Sequence, residues 1–144
     1  MKKPLLFCSL IGALTACQHE SDIQPNTSSL AGEAVGTYRT NFYLDPSYAT
    51  LSQSQMPYVE LKQESDSNVT LLLTRQYPAS ETQVIPHVLL QRKANGVELR
   101  IANTRVGTLQ TDRVFTSNGM EKQGQLLRLT AQDSSVSEFI GVKQ

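Results

Sequence analysis

The sequence predicts an all-β protein. About eight antiparallel strands run as an up-and-down meander closed into a small barrel, and a two-sheet β-sandwich is the alternative. Three observations predict this. Apolar residues recur with period two from Tyr38 onward, not with the helical period. Turn-forming clusters separate the runs at Asp66-Ser67-Asn68, Asn95-Gly96, Asn118-Gly119 and Asp133-Ser134-Ser135. No stretch carries a helical apolar stripe, and no internal self-similarity points to a solenoid or propeller.

Each strand has its own alternation. Tyr38, Thr40, Phe42 and Leu44 alternate with Arg39, Asn41 and Tyr43 in the first. Val59 and Leu61 alternate with Glu60 and Lys62 in the second, and Val69, Leu71 and Leu73 with Thr70 and Thr74 in the third. Val88 and Leu90 precede Asn95-Gly96, and Val97, Leu99 and Ile101 follow it as the fifth strand. Val106 to Thr116 form the sixth, Leu127 and Leu129 flank Arg128 in the seventh, and Phe139 to Val142 make the eighth. Asn-Gly between alternating runs signals a two-residue hairpin. With Asn95-Gly96 as the turn, Ala94 faces Val97, Lys93 faces Glu98 and Leu90 faces Ile101. Val88, Leu90, Val97, Leu99 and Ile101 then share the inner face, Lys93 and Glu98 pair on the outer face, and Arg92 falls inside near the rim.

Ahead of the strands stands a secretory signal: Lys2-Lys3, an apolar stretch from Leu5 to Leu14, then Thr15-Ala16-Cys17. Leu14-Thr15-Ala16-Cys17 resembles the lipobox of bacterial lipoproteins. That resemblance implies cleavage after residue 16, a lipid on the Cys17 thiol and attachment to a membrane by acyl chains. Gln18, not Asp, follows the cysteine, which by resemblance to enterobacterial sorting rules implies the outer membrane, on its periplasmic or surface face. Removing residues 1–16 from 144 leaves 128, with eleven basic against thirteen acidic side chains and a net charge of −2. Cys8 is lost with the signal and Cys17 carries lipid, so the folded part keeps no thiol for a disulfide, a zinc site or a nucleophile. The expected organisation is a signal peptide at 1–16, a flexible polar tether at 17–35 containing Pro25, Ser28 and Ser29, and a β-barrel domain at 36–144.

Gly36-Thr37-Tyr38 at the head of a lipid-anchored meander resembles the opening Gly-x-Trp of lipocalin-like domains, with Tyr38 in place of Trp. Thr111-Asp112 resembles the start of that family's Thr-Asp-Tyr motif, with Arg113 in place of Tyr. The resemblance implies a small barrel that holds an apolar or amphipathic ligand.

Composition and motifs narrow the function classes. Thirteen basic and thirteen acidic residues argue against a general nucleic-acid binder. Arg92, Arg100, Arg105 and Arg113 are interleaved with acids along the chain and form no basic stripe in it. A single histidine in a strand, His87, does not make a metal site, and Glu60, Glu64 and Asp66 lack the spacing of an EF-hand loop. No nucleophile elbow, zincin helix or phosphate-binding glycine loop occurs. The expectation is a non-enzymatic protein without metal or cofactor.

Arg75 and Tyr77 continue the Val69-Leu71-Leu73 face and are expected to point inward at the far end of the barrel. That pair resembles the carboxylate-binding pair of small fatty-acid-binding barrels. The Asp45–Pro57 connection is long for a hairpin loop and carries Tyr48 and Met56, so it is expected to close over the same mouth. Arg75, Tyr77, Tyr48 and Met56 are therefore the candidate ligand-binding residues. The expected function is a lipid-anchored envelope protein holding a small amphipathic ligand. The alternative is an interaction module of the same fold whose loops meet a protein or glycan partner.

Overall fold

The computed structural model describes residues 28–130 and 135–144. The signal segment, Cys17, most of the tether and the Asp133-Ser134 part of the last predicted turn lie outside the described residues. Eight strands follow a short helix α1 (Leu30–Ala34). They are β1 (Gly36–Arg39), β2 (Tyr58–Gln63), β3 (Asn68–Arg75), β4 (Glu81–Lys93), β5 (Gly96–Ile101), β6 (Thr104–Phe115), β7 (Glu121–Leu129) and β8 (Phe139–Lys143). Each pairs antiparallel with the next, and β8 returns to β1 to close the barrel in the predicted meander order. A single closed sheet, not a two-sheet sandwich, is the architecture.

The alternation sorts side chains as expected. Val59, Leu61, Val69, Leu71, Leu73, Val88, Leu90, Val97 and Leu99 are all buried in one cluster with Val106, Leu109, Leu127, Leu129 and Phe139. These side chains, contributed by every strand beyond β1, form one buried cluster along the barrel axis, and Tyr38 joins them from β1.

The β4–β5 hairpin keeps these faces but changes its register. Lys93 pairs with Gly96, Arg92 with Val97, Gln91 with Glu98 and Leu90 with Leu99. The turn residues are thus Ala94 and Asn95, and the predicted Lys93–Glu98 pair does not form. Gly96, at φ +137°, takes the positive-φ position at the first place in β5 while Asn95 keeps negative φ. The slip is an even number of residues, so inside stays inside. Arg92 escapes at the rim as expected, where its guanidinium reaches Glu33 at 2.6 Å.

Two other segments depart from expectation. The first strand ends at Arg39, not Leu44. The Asn41 side-chain oxygen accepts from the N–H groups of Tyr43 and Leu44, and its amide donates to the Phe115 carbonyl at 2.9 Å. This Asx-type turn swings the chain out of the ladder, so Phe42 is 40 % exposed instead of inward. Leu44 then joins a second small core with Val114, Leu126, Ile140 and Val142. Leu126 and Val142 are register partners flanked by inward Leu127 and Gly141, which places this second core on the outside of the sheet.

The second departure is α1, which lies within the segment assigned to the tether. The Ser29 hydroxyl caps it by accepting from Gly32 N–H, and Ala31 and Ala34, three apart on one face, are fully buried. Ala31 N–H donates to the Asp66 carbonyl, and Lys143 Nζ donates to the Glu33 carbonyl. The Tyr38 hydroxyl, inside the barrel, donates to the Ala34 carbonyl at 2.6 Å, and burial pushes that phenol's pKa well above its ordinary value. Part of the segment expected to be tether is therefore built into the fold, and α1 closes the floor of the barrel. Tyr38→Phe removes the donor from a buried carbonyl and is expected to lower stability by about 1–3 kcal/mol, measured by urea unfolding.

Candidate functional site

Arg75 lies at the last position of β3, paired with Glu81, and is exposed at the open end of the barrel. The chain has left the strand by Tyr77, which is 55 % exposed, so the phenol does not point inward as expected. The Asp45–Pro57 connection carries two short 3-10 turns, Pro46–Tyr48 and Gln53–Gln55. Asp45 caps the first by accepting from Ser47 N–H. The connection brings Tyr48 and Leu51 beside Arg75 and Tyr77 around one cleft of about 290 Å³. Burial raises the Tyr48 phenol, with the Asp45 and Glu138 carboxylates acting in the same direction and Arg75 against them.

Three of the four candidate ligand residues therefore meet at one place. The fourth, Met56, is 4 % exposed and borders none of the described clefts, so it is a buried residue of the connection. The cleft opens to solvent at the barrel's end. Beneath this end, Leu73, Ile85, Val136 and Phe139 are buried in the core.

The acidic residues singled out in the sequence do not converge. The Glu64 carboxylate is taken by the Thr70 hydroxyl, by His87 N–H at 3.0 Å and by His87 Nδ1 at 2.9 Å. Those contacts, the Thr70 hydrogen bond foremost, hold Glu64 below the usual carboxylate range. Their geometric origin is a bulge: Val69 pairs with Val88 and Leu71 with Ile85, leaving Thr70 opposite both Pro86 and His87. Pro86 has no N–H to give to the ladder, and His87 sits at φ +58°. The contacts make a local brace for the bulge. Among the described residues no three His, Cys, Asp or Glu side chains come together.

A larger cleft, about 620 Å³, lies against the outer face of β4 to β7. Lys93, Glu98, Arg105, Thr108, Gln110 and Arg128 border it. Register explains why residues remote in sequence meet there: Glu98 is opposite Thr108, which is opposite Arg128, and Arg100 is opposite Arg105. Arg100 Nη1 donates to Glu98 Oε1 at 2.6 Å, and Arg105 Nε stands 3.9 Å from Glu98 Oε2. The Arg100 hydrogen bond, with the charges of Lys93, Arg100 and Arg105, keeps Glu98 ionised to a lower pH than an ordinary carboxyl.

The arginines that look scattered along the chain are thus partly gathered in space. Arg100 and Arg105 join Lys93 and Arg128, while Arg92 and Arg113 pair elsewhere, with Glu33 and Glu121. The sequence signal for this cluster was the outward set of the alternation, residues 98, 100, 108, 110 and 128, once strand order was known.

No protein-family model matches the chain, and no curated protein or solved structure matches it either.

Proposed function

We propose that this is a lipid-anchored, non-enzymatic module of the bacterial cell envelope, a lipocalin-like scaffold with a packed interior whose outer surface meets a partner. The observation that carries this reading is the filled barrel. The inward side chains of β2 to β8 are buried against one another, α1 closes the floor, and the described clefts lie at the end and on the outside. An eight-stranded barrel accommodates either packed side chains or one small ligand, and this packing favours the first. The Leu14-Thr15-Ala16-Cys17 box supports the anchor, and Gln18 supports the outer membrane as its destination. The opening Gly36-Thr37-Tyr38, with Tyr38 buried on the floor, supports the lipocalin-like kinship.

Two measurements test the reading. Cys17→Ser is expected to abolish labelling by a palmitate analogue and to move the protein out of the membrane fraction; equal labelling of variant and wild type would refute the anchor. The same soluble variant is expected to show no saturable uptake of a fluorescent fatty acid. Stoichiometric uptake, or lipid that co-purifies with it, would restore the ligand-carrier reading, with Arg75, Tyr48 and Tyr77 as its mouth.

A further inference from the structure

We infer that the outer face of β4 to β7 binds a carboxylate-bearing glycan chain through Lys93, Arg105 and Arg128. This deepens the interaction-module reading by naming the surface and the chemistry of the partner. Lys93, Arg105 and Arg128 border this cleft with Glu98 as its one carboxylate, and Arg100 pairs with Glu98 beside it; Asp112 lies farther along the same face of β6, and Asp45 and Glu138 share a separate cleft with Arg128. Among the described residues Lys93 and Arg128 make no ion pair within 4.0 Å, and Arg105 only approaches one at 3.9 Å.

Glu98 indicates what this cluster accepts, since two guanidinium groups already lean on its carboxylate, Arg100 from its own strand and Arg105 from β6. A second carboxylate between Arg105 and Arg128 meets the same kind of donor, with charge-assisted hydrogen bonds available from either. Thr108 and Gln110 lie on the same surface and supply a hydroxyl and an amide for sugar hydroxyls.

The fold disfavours two other polyanions. A closed barrel has no free sheet edge, so an extended acidic peptide cannot add as a further strand. No aromatic side chain borders this cleft, so nucleic-acid bases find no stacking platform there.

The test uses the full chain in neutral detergent and titrates polygalacturonate, with neutral dextran, polyglutamate and a single-stranded oligonucleotide as comparisons. Polygalacturonate is expected to bind, to weaken as salt rises, and to bind more tightly than the other three. Arg105→Gln and Arg128→Gln are each expected to weaken it roughly 10-fold, the scale of one charge-assisted hydrogen bond. Arg113→Gln, whose partner is Glu121 outside the cleft, is the control and is expected to leave binding within about 2-fold. Both cleft arginines are exposed, so an unchanged unfolding midpoint is expected to accompany the loss. Absence of polygalacturonate binding, an equal loss in the Arg113 variant, or tighter binding of polyglutamate or the oligonucleotide would overturn the inference. Fatty-acid uptake would overturn the packed-scaffold reading while leaving this surface standing, so the two failures are distinguishable.

Discussion

Leu71→Ala is expected to lower the unfolding free energy by about 2–5 kcal/mol, the range for emptying a closed core site. Leu71 is fully buried at the middle of β3, with Leu61 of β2 on one side and Ile85 of β4 on the other. All three belong to strands of one closed ring, so the wall has little freedom to collapse into the space left behind. The neighbouring Leu72 points outward and is half-buried. Leu72→Ala is therefore expected to cost less than about 1.5 kcal/mol, because less apolar surface leaves water there. Urea unfolding of the two variants measures the difference, and equal losses would mean that the axis of the barrel is not the principal core.

Gly96→Val is expected to cost about 2–6 kcal/mol, combining a strained backbone with a steric collision. The residue has φ +137°, and a Cβ placed on it would stand 2.4 Å from the Leu109 carbonyl oxygen of β6. That oxygen belongs to the main chain of the ladder and cannot rotate away. Gly119 makes the useful comparison. It also has positive φ, but the nearest obstacle to its Cβ is the Tyr43 hydroxyl, the end of a half-exposed side chain that can move. Gly119→Ala is expected to cost about 1 kcal/mol, chiefly from the backbone. Thermal unfolding of both variants checks the order.

Much of the barrel was legible because period-two alternation reports which side of a sheet a residue faces whatever its exact partner. The observed register differs from the predicted one by two residues, and Leu90 and Leu99 face inward in both. Features below the resolution of a periodic pattern were not legible. Five residues from Leu30 to Ala34 are too few to display a helical stripe, so the sequence does not distinguish α1 from a polar tether. The end of β1 depended on one Asn41 side chain reaching Phe115, a contact across 74 residues of sequence.

The second core left a fainter trace. Leu126-Leu127 and Phe139-Ile140 break the alternation because those strands are covered on both faces, the usual reason for a continuous apolar run. The site residues divided in the same way. Arg75, Tyr77 and Tyr48 could be brought together from strand direction and loop length, but whether they border a cavity or an open cleft depends on packing beneath them. Lys93, Arg105 and Arg128 come from three strands and meet only through ladder register, which no local pattern in the sequence encodes.

The seam between β1 and β8 has a mechanical consequence. It is closed by two register pairs, Tyr38 with Lys143 and Arg39 with Val142, whereas β6 and β7 share nine. A pull applied through the N-terminal segment would enter the barrel beside this shortest seam. Such a force first meets α1, where the Ala31–Asp66, Tyr38–Ala34 and Lys143–Glu33 hydrogen bonds tie the segment to the β2–β3 turn, β1 and β8 respectively. The helix thus spreads the load over three separate parts of the wall before the seam is peeled, and works as a strain relief at the point where the chain enters the barrel.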